Sequence, residues 1–247
     1  AAGGLSWWEH SPEAHPLIVA DVSHAHCPAI DGDTAIRFQR EGGSQDEDSI
    51  ATWQPQRSLM PGQHAQSAYD FKSPRPRHNS TPTLNKQGEV ASQEVHEYTG
   101  HYGFNLHDAS GDALGRLRME EIEAVAKQFE ASGNCRRVQP GRWFQLTGHF
   151  SSEADGAKAE DSQYLILSAT HEASNNYLLG EGAKSIYSNR FTASRRKVPW
   201  HPGRGRASKA VRIDVPQTAT VVGPEGAGSL HTDEHGRVQV VFHWDRD

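Results

Sequence analysis

TATVVGPEGAGSLHTDEHGRVQVVFHWDRD, Thr218 to Asp247, sets a two-residue alternation beside glycine-marked turns, a β pattern. From Arg237 onward the side chains alternate: Val238, Val240, Phe242 and Trp244 fall on one face, and Arg237, Gln239, Val241 and His243 on the other. A period of two residues is the mark of a strand. The strand is entered through Asp233-Glu234-His235-Gly236, where glycine can take the positive φ of a tight turn, and an earlier break falls at Gly223-Pro224-Glu225-Gly226. Short strands bent back by glycines begin a small closed or Greek-key barrel, of which the OB-fold is the commonest five-stranded form. About three strands fit between Val215 and Asp247, so the expected barrel needs partners beyond this chain or on another one. The sequence reads as a fragment.

Working back toward the N-terminus, SRRKVPWHPGRGRASKAVRI (194–213) carries Arg195, Arg196, Lys197, Arg204, Arg206, Lys209 and Arg212 with no acid among them. Its prolines and glycines predict an interdomain connector. Strands are predicted over Arg142 to Phe150 and Gln163 to Ala173, pairing as a hairpin around the acidic loop SSEADGAKAEDS. A helix is predicted from about Asp112 to Ser132, with Leu114, Leu117, Ile122, Val125, Ala126 and Phe129 on one face and Gly133 as its C-terminal cap. Ser73 to Ser92, rich in Pro, Ser and Thr, is expected as an extended surface connection, since prolines deny ladder donors to a central strand. Before it, short strands at Leu5 to Glu9, Pro16 to Ala20, Ala35 to Arg40 and Ala68 to Lys72 predict a β meander.

VVGPEG followed by HTDEHGRVQVVFHWDRD closely resembles the opening of the OB-like domain of VgrG, the valine-glycine repeat spike protein family of bacterial type VI secretion, itself related to the hub and spike of contractile phage tails. CRRVQPGRWFQLTGHF, YLILSATHEA and IYSNRFTA resemble the later part of that family's hub-like region, and DVSHAHCP and IATWQPQRSLMPGQ follow its general pattern. The likeness covers nearly the whole chain. It implies a mainly β (α+β) fold: a hub-like β-barrel region with one main helix over 1–193, the basic connector over 194–213, and the first strands of an OB-like barrel over 214–247. The barrel signature it singles out is Gly223, Pro224, Asp233, Gly236, Arg237, Val238, Val240, Phe242, Trp244, Asp245 and Arg246.

Composition narrows the alternatives. The chain has 247 residues with a net charge of -6, so whole-protein electrostatics disfavour nucleic acid and anionic membrane. A mean hydropathy of -0.74 and 23 glycines suit a loop-rich β protein with a modest core. Cys27 and Cys135 are far apart and outside any CxxC spacing, which predicts reduced, partly buried thiols. No apolar run reaches the ~20 residues of a membrane span, and AAGGLSWWEH lacks the regions of a signal peptide.

Candidate chemistry is sparse. Asp21, His24, His26 and Cys27 could approach a metal if 24 and 26 share one face of a strand, but a structural zinc needs about four ligands. Polar loop histidines are the alternative. Glu120 and Glu121 are expected on the solvated side of the helix. Phe242 and Trp244 could stack bases as in nucleic-acid-binding OB-folds, or fill a barrel interior with the valines they alternate with. Pairs of Arg237 and Arg246 with Asp233 and Asp245 could fix turns, each contributing about 0–1 kcal/mol. No nucleophile, base and oxyanion donors assemble into a catalytic set, and no GxSxG, HExxH, Walker or GxGxxG motif follows a strand.

The resemblance therefore implies a structural, non-enzymatic part without cofactor. It would be one segment of a homotrimeric puncturing spike that caps an Hcp tube and carries a PAAR tip, adaptors or effectors, driven by sheath contraction. It implies assembly in the bacterial cytoplasm and delivery through the contractile apparatus, with the target membrane met only by the complete spike. A phage or phage-like tail spike or baseplate hub is the alternative within the same ancestry. From other classes stand a metal-dependent hydrolase using Asp21, His24 and His26, and nucleic-acid binding through residues 195–212.

Overall fold

Apolar side chains spaced two apart on six strands point into one interior, and that interior is a closed barrel. The computed structural model describes residues 3–40, 47–70, 72–85, 87–101, 110–151, 158–177, 185–203, 213–223 and 231–246. In chain order the elements are β1 (Leu5–Trp8), β2 (Leu17–Ala20), α1 (Ser23–His26), β3 (Ala35–Phe38), β4 (Ser49–Arg57), β5 (Gln63–Asp70), β6 (Ser73–Pro82), β7 (Glu94–His101) and α2 (Ser110–Ala126). They continue with β8 (Lys127–Gly133), β9 (Trp143–Thr147), β10 (Gln163–Ser174), β11 (Ile186–Arg195), β12 (Ala219–Val222) and β13 (Gln239–Phe242). The chain divides into two units, Ala1–Ala207 and Ser208–Asp247.

In the first unit the barrel order is β10-β11-β8-β4-β3-β9, closed by β9 against β10. Most neighbours are antiparallel, but β3 runs parallel to both β4 and β9. Register shifts at Ile50/Thr52 and Ile166/Ser168 are bulges, which add the local bend a closing sheet needs. Pro55 lies past the two β4 residues paired with β3, where the strand has an open side that tolerates a residue without an N–H.

The interior is aromatic. Trp53 stacks on Phe129 at 4.9 Å and meets Tyr164 edge-on at 4.7 Å, while Phe144 reaches Phe191 at 5.8 Å. Ile36, Ile50, Val138, Leu146 and Ile166 fill the spaces between the rings. Alternation on β10 sends Tyr164 and Ile166 inward and Leu165 outward, where Leu165 packs with Leu5, Trp7 and Cys27 beneath the β1–β2 hairpin. Gly141 has φ +82 and a Cβ there would lie 2.3 Å from Trp7, so this close approach of hairpin to barrel requires glycine.

The three-stranded sheet, order β6-β5-β7, stands outside the barrel and carries α2 on one face. Central β5 is QHAQSAYD, and its small residues Ala65, Ser67 and Ala68 are buried. Small residues let the helix approach closely: Gln66 Nε2 donates to Gly111 O at 2.6 Å, and a Cβ on Gly115 would meet Thr81 Oγ1 at 2.4 Å.

Several expectations change here. The helix ends at Ala126 and Phe129 belongs to β8, because its ring is drawn into the barrel interior and the ladder with β4 and β11 outweighs helical periodicity. Gly133 ends that strand instead of capping a helix; a Cβ there would sit 2.2 Å from Ser49 O. The buried side of α2 is Gly111, Gly115, Arg118, Met119, Glu123 and Ala124, whereas the expected apolar stripe, Leu114, Leu117, Ile122 and Val125, is only half-buried. The first strands form no meander: β1 and β2 make a separate hairpin and β3 enters the barrel in parallel. Ser73–Pro82 is a strand, and it lies at the sheet edge, where its prolines cost no central ladder bond. The predicted hairpin over 142–150 and 163–173 does form, with Gln145, Phe144 and Trp143 opposite Gln163, Tyr164 and Leu165.

Candidate functional site

The second unit is built on a two-stranded antiparallel pair, with Val221 opposite Val240 and Ala219 opposite Phe242. Residues 231–237 supply its turn. Asp233 Oδ1 accepts from the backbone N–H groups of His235 and Arg237, each at 2.9 Å, and Oδ2 accepts from Arg237 Nε at 2.6 Å. Gly236 takes φ +74. Hydrogen bonds from the Arg237 backbone and then its side chain hold the Asp233 carboxyl down at about 2, with the His235 N–H adding to them. This is the turn that Asp233, Gly236 and Arg237 predict.

The side chains of the alternating series are largely exposed. Val240 is 39 % and Trp244 65 % exposed, and Val221, Val238 and Val241 are exposed as well. Burial is expected for this series, but the strand ends at Phe242, short of Trp244, and a single strand pair cannot enclose its own face. Phe242, half-buried, stacks on Trp244 at 5.1 Å, and Trp244 Nε1 donates to Gln217 Oε1 at 3.0 Å. Asp245 N–H closes the strand by donating to Phe242 O, and Arg246 is exposed. Gly223 lies directly after β12, where a Cβ would meet His231 at 2.9 Å; Pro224 lies outside the described residues. What this surface offers chemically is a set of exposed apolar side chains on and beside the β12–β13 pair.

The proposed metal cluster is not assembled. Residues 23–26 are helical, so the two histidines do not share a strand face. His26 Nδ1 lies 3.1 Å from Asp21 Oδ1, both exposed, and His24 is exposed on the same short helix. Among the described residues no three His, Cys, Asp or Glu side chains converge on one point, so the hydrolase reading has no ligand set to work with. Burial raises the Cys27 thiol to about 11 and raises Cys135 too, keeping both as protonated packing groups.

The connector begins on the barrel. Arg196 donates to Gln163 Oε1 at 2.8 Å and His24 O at 3.2 Å, with its guanidinium 4.1 Å above the Trp143 ring. Lys197 pairs with Asp161, whose carboxyl it holds below the ordinary range. These cations are engaged by the protein's own groups; Arg204, Arg206, Lys209 and Arg212 lie outside the described residues.

Glu120 and Glu121, expected in solvent, are half-buried and paired. Glu120 accepts from Arg116 Nε at 2.9 Å and faces His201 Nε2 at 3.1 Å, while Glu121 accepts from Arg118 Nη1 at 2.7 Å. His201 Nδ1 also lies 2.6 Å from Gly3 O, so the first half of the connector and the start of the chain cover this side of α2. Helical spacing could not reveal that cover. Also unforeseen is an open groove of about 650 Å³ between β1 and the outer barrel wall, lined by Trp7, Trp8, His10, Arg136, His171 and Tyr187 among others. Arg136 lies 5.0 Å over the Tyr187 ring there. Trp7-Trp8 on a strand was the available signal, since alternation buries one and exposes the other.

The profile of the family described as phage tail baseplate hub (GPD) matches residues 1–177. The chain is 27 % identical to the type VI secretion system spike protein VgrG1a of Pseudomonas aeruginosa across 97 % of its own length and 36 % of that protein's. Similarity to VgrG1c of the same organism is 27 % over 97 % of this chain and 32 % of the relative. The chain thus spans about a third of the length of these curated relatives. Among solved structures, the E. coli c3393 protein is described as a type VI secretion component with structural similarity to the T4 tail proteins gp27 and gp5. It matches with a TM-score of 0.51 at 13 % identity, over 97 % of this chain and 45 % of that one, a likeness of fold.

Proposed function

The chain belongs to the phage tail baseplate hub (GPD) family, and from that premise we propose that it serves as a hub segment of the trimeric puncturing spike of a type VI secretion system. The observation that carries this reading is the extent of the likeness to the Pseudomonas spike proteins. It runs through 97 % of the chain and so takes in the second unit, beyond the hub match at 1–177.

In this reading residues 1–193 form the hub portion, 194–213 the connector and 214–247 the opening strands of an OB-like barrel. The work is mechanical. A closed barrel has no free edge to peel, and its ladders, loaded together, resist the thrust that sheath contraction supplies. The apolar strip of Val221, Val238, Val240 and Trp244 is covered when further strands or subunits complete the second barrel. The partners are two further copies of the chain, an Hcp tube beneath the hub, and a PAAR tip with adaptors or effectors at the far end. Assembly takes place in the bacterial cytoplasm and delivery through the apparatus. No helix among the described residues is long and apolar enough to cross a membrane. No catalytic role is assigned to this chain.

A second reading, a hub of a phage or phage-like tail, is favoured by the description of the matched family. Light scattering on the full-length protein containing this chain should give a trimer, and electron microscopy should show it seated on one end of Hcp tubes. A trimer that ignores Hcp tubes but caps a phage-type tail tube supports the second reading. A protein that stays monomeric at assembly concentrations overturns both.

A further inference from the structure

The tip of the β1–β2 hairpin carries two histidines that the assembly reading does not use. Its sequence is EHSPEAHP, Glu9 to Pro16. The turn is closed by its own hydrogen bonds: Glu9 N–H donates to Pro16 O and Ser11 N–H to Ala14 O, both at 3.0 Å, and Ser11 Oγ accepts from the Ala14 N–H at 3.0 Å. Pro12 inside the bend and Pro16 after it restrict φ. This holds His10 and His15 side by side with their rings tilted by 59°, Nδ1 3.0 Å from Nδ1 and ring centroids 5.1 Å apart.

Two Nδ1 atoms this close have few ways to coexist. Two imidazolium rings would oppose N–H to N–H and charge to charge. Two neutral rings can share one hydrogen bond only if one carries its proton on Nδ1 and the other on Nε2. A cation bound by both nitrogens satisfies the two lone pairs together. Metal–nitrogen bonds of about 2.0–2.1 Å put two ligands about 2.9 Å apart at a right angle and about 3.4 Å apart at a tetrahedral angle. The observed 3.0 Å fits the right angle.

We propose that His10 and His15 form a two-histidine site for a divalent transition metal that prefers tetragonal coordination, Cu²⁺ or Ni²⁺, with water and oxygen ligands in the remaining positions. Both side chains are exposed, so the ion keeps part of its hydration shell and little desolvation opposes binding. Glu13, exposed on the same turn, adds negative charge. With two protein ligands the site is open and exchangeable, unlike the closed four-ligand centre of a structural zinc. Imidazole suits both ions, and Cu²⁺ binds more tightly than Ni²⁺ in the general order of affinities.

The test titrates the whole 247-residue chain with Cu²⁺ and with Ni²⁺ at neutral pH, glycine serving as a competing ligand. One ion should bind per chain ahead of any weaker sites, and the electron paramagnetic resonance of bound Cu²⁺ should show coupling to two imidazole nitrogens. His10→Ala and His15→Ala should each weaken that binding by at least roughly tenfold, the loss that even an outer partner of a ligand produces. His24→Ala, which removes an exposed histidine outside this turn, should leave it unchanged. An unaltered denaturation midpoint in each variant shows that the barrel is intact. Equal affinity in wild type and His15→Ala overturns the proposal, as does coupling to a single nitrogen. So does nitrogen NMR in which an Nδ1–H···Nδ1 hydrogen bond persists at saturating metal.

Discussion

Trp53 shows what a single side chain contributes to this molecule. Its ring touches Phe129, Phe144 and Tyr164 at the centre of the barrel, so truncation leaves a cavity that four strands cannot close without losing register. Trp53→Ala should cost about 3–5 kcal/mol, measured by urea denaturation of the whole chain. Trp53→Phe should cost clearly less. It keeps most of the ring and removes an indole N–H that has no acceptor among the described residues. Trp244 is the contrast. Alternation predicts its burial, but β13 ends at Phe242 and residues 243–244 form a turn, which leaves Trp244 65 % exposed. Trp244→Ala should therefore leave the barrel's denaturation midpoint unchanged here. In the assembled full-length trimer the same change should lower the melting temperature, if the strip is covered as proposed.

At the scale of elements, α2 is held by polar contacts more than by an apolar stripe. Glu123 Oε1 accepts from Thr83 Oγ1 at 2.7 Å and Leu84 N at 3.0 Å, and Oε2 accepts from Asn85 Nδ2 at 2.9 Å and Arg116 Nη2 at 3.3 Å. A carboxylate in the last turns of a helix runs against the dipole, and these four donors offset that. Glu123→Ala should cost about 1.5–3 kcal/mol by removing the charged acceptor that these donors share, read as a shifted urea midpoint. The β12–β13 turn responds to pH. Asp233 has a folded value of about 2, below the ~3.9 of an unfolded chain. Its contribution is complete above the unfolded value and is lost as pH falls toward 2. Protection of the His235 and Arg237 amides, taken relative to the intrinsic exchange rate at each pH, should fall across that window in the wild type. In Asp233→Ala that protection should be lost at every pH. The turn was legible because its Asp, Gly and Arg act within five residues. The helix end was not, since Phe129 answers to a barrel interior made by β4, β9, β10 and β11.

For the whole molecule, the barrel closes through pairings that sequence neighbours do not announce. β3 lies parallel between β4 and β9, and β8 joins β4 to β11. Local alternation marks each strand and leaves its partner undetermined, so a meander was the simpler expectation for the first strands. Local pattern suffices for the β character, the β9–β10 hairpin, the Asp233 turn and the resemblance to spike proteins, because these rest on spacings of a few residues or on a fixed order of residue types. Where α2 stops, the pairing of Glu120 and Glu121, the edge strand at 73–82 and the meeting of His10 with His15 emerge in the folded chain alone. Each of those depends on chain segments far apart in sequence, or on the exact geometry of a turn, competing with local propensity for the same residues.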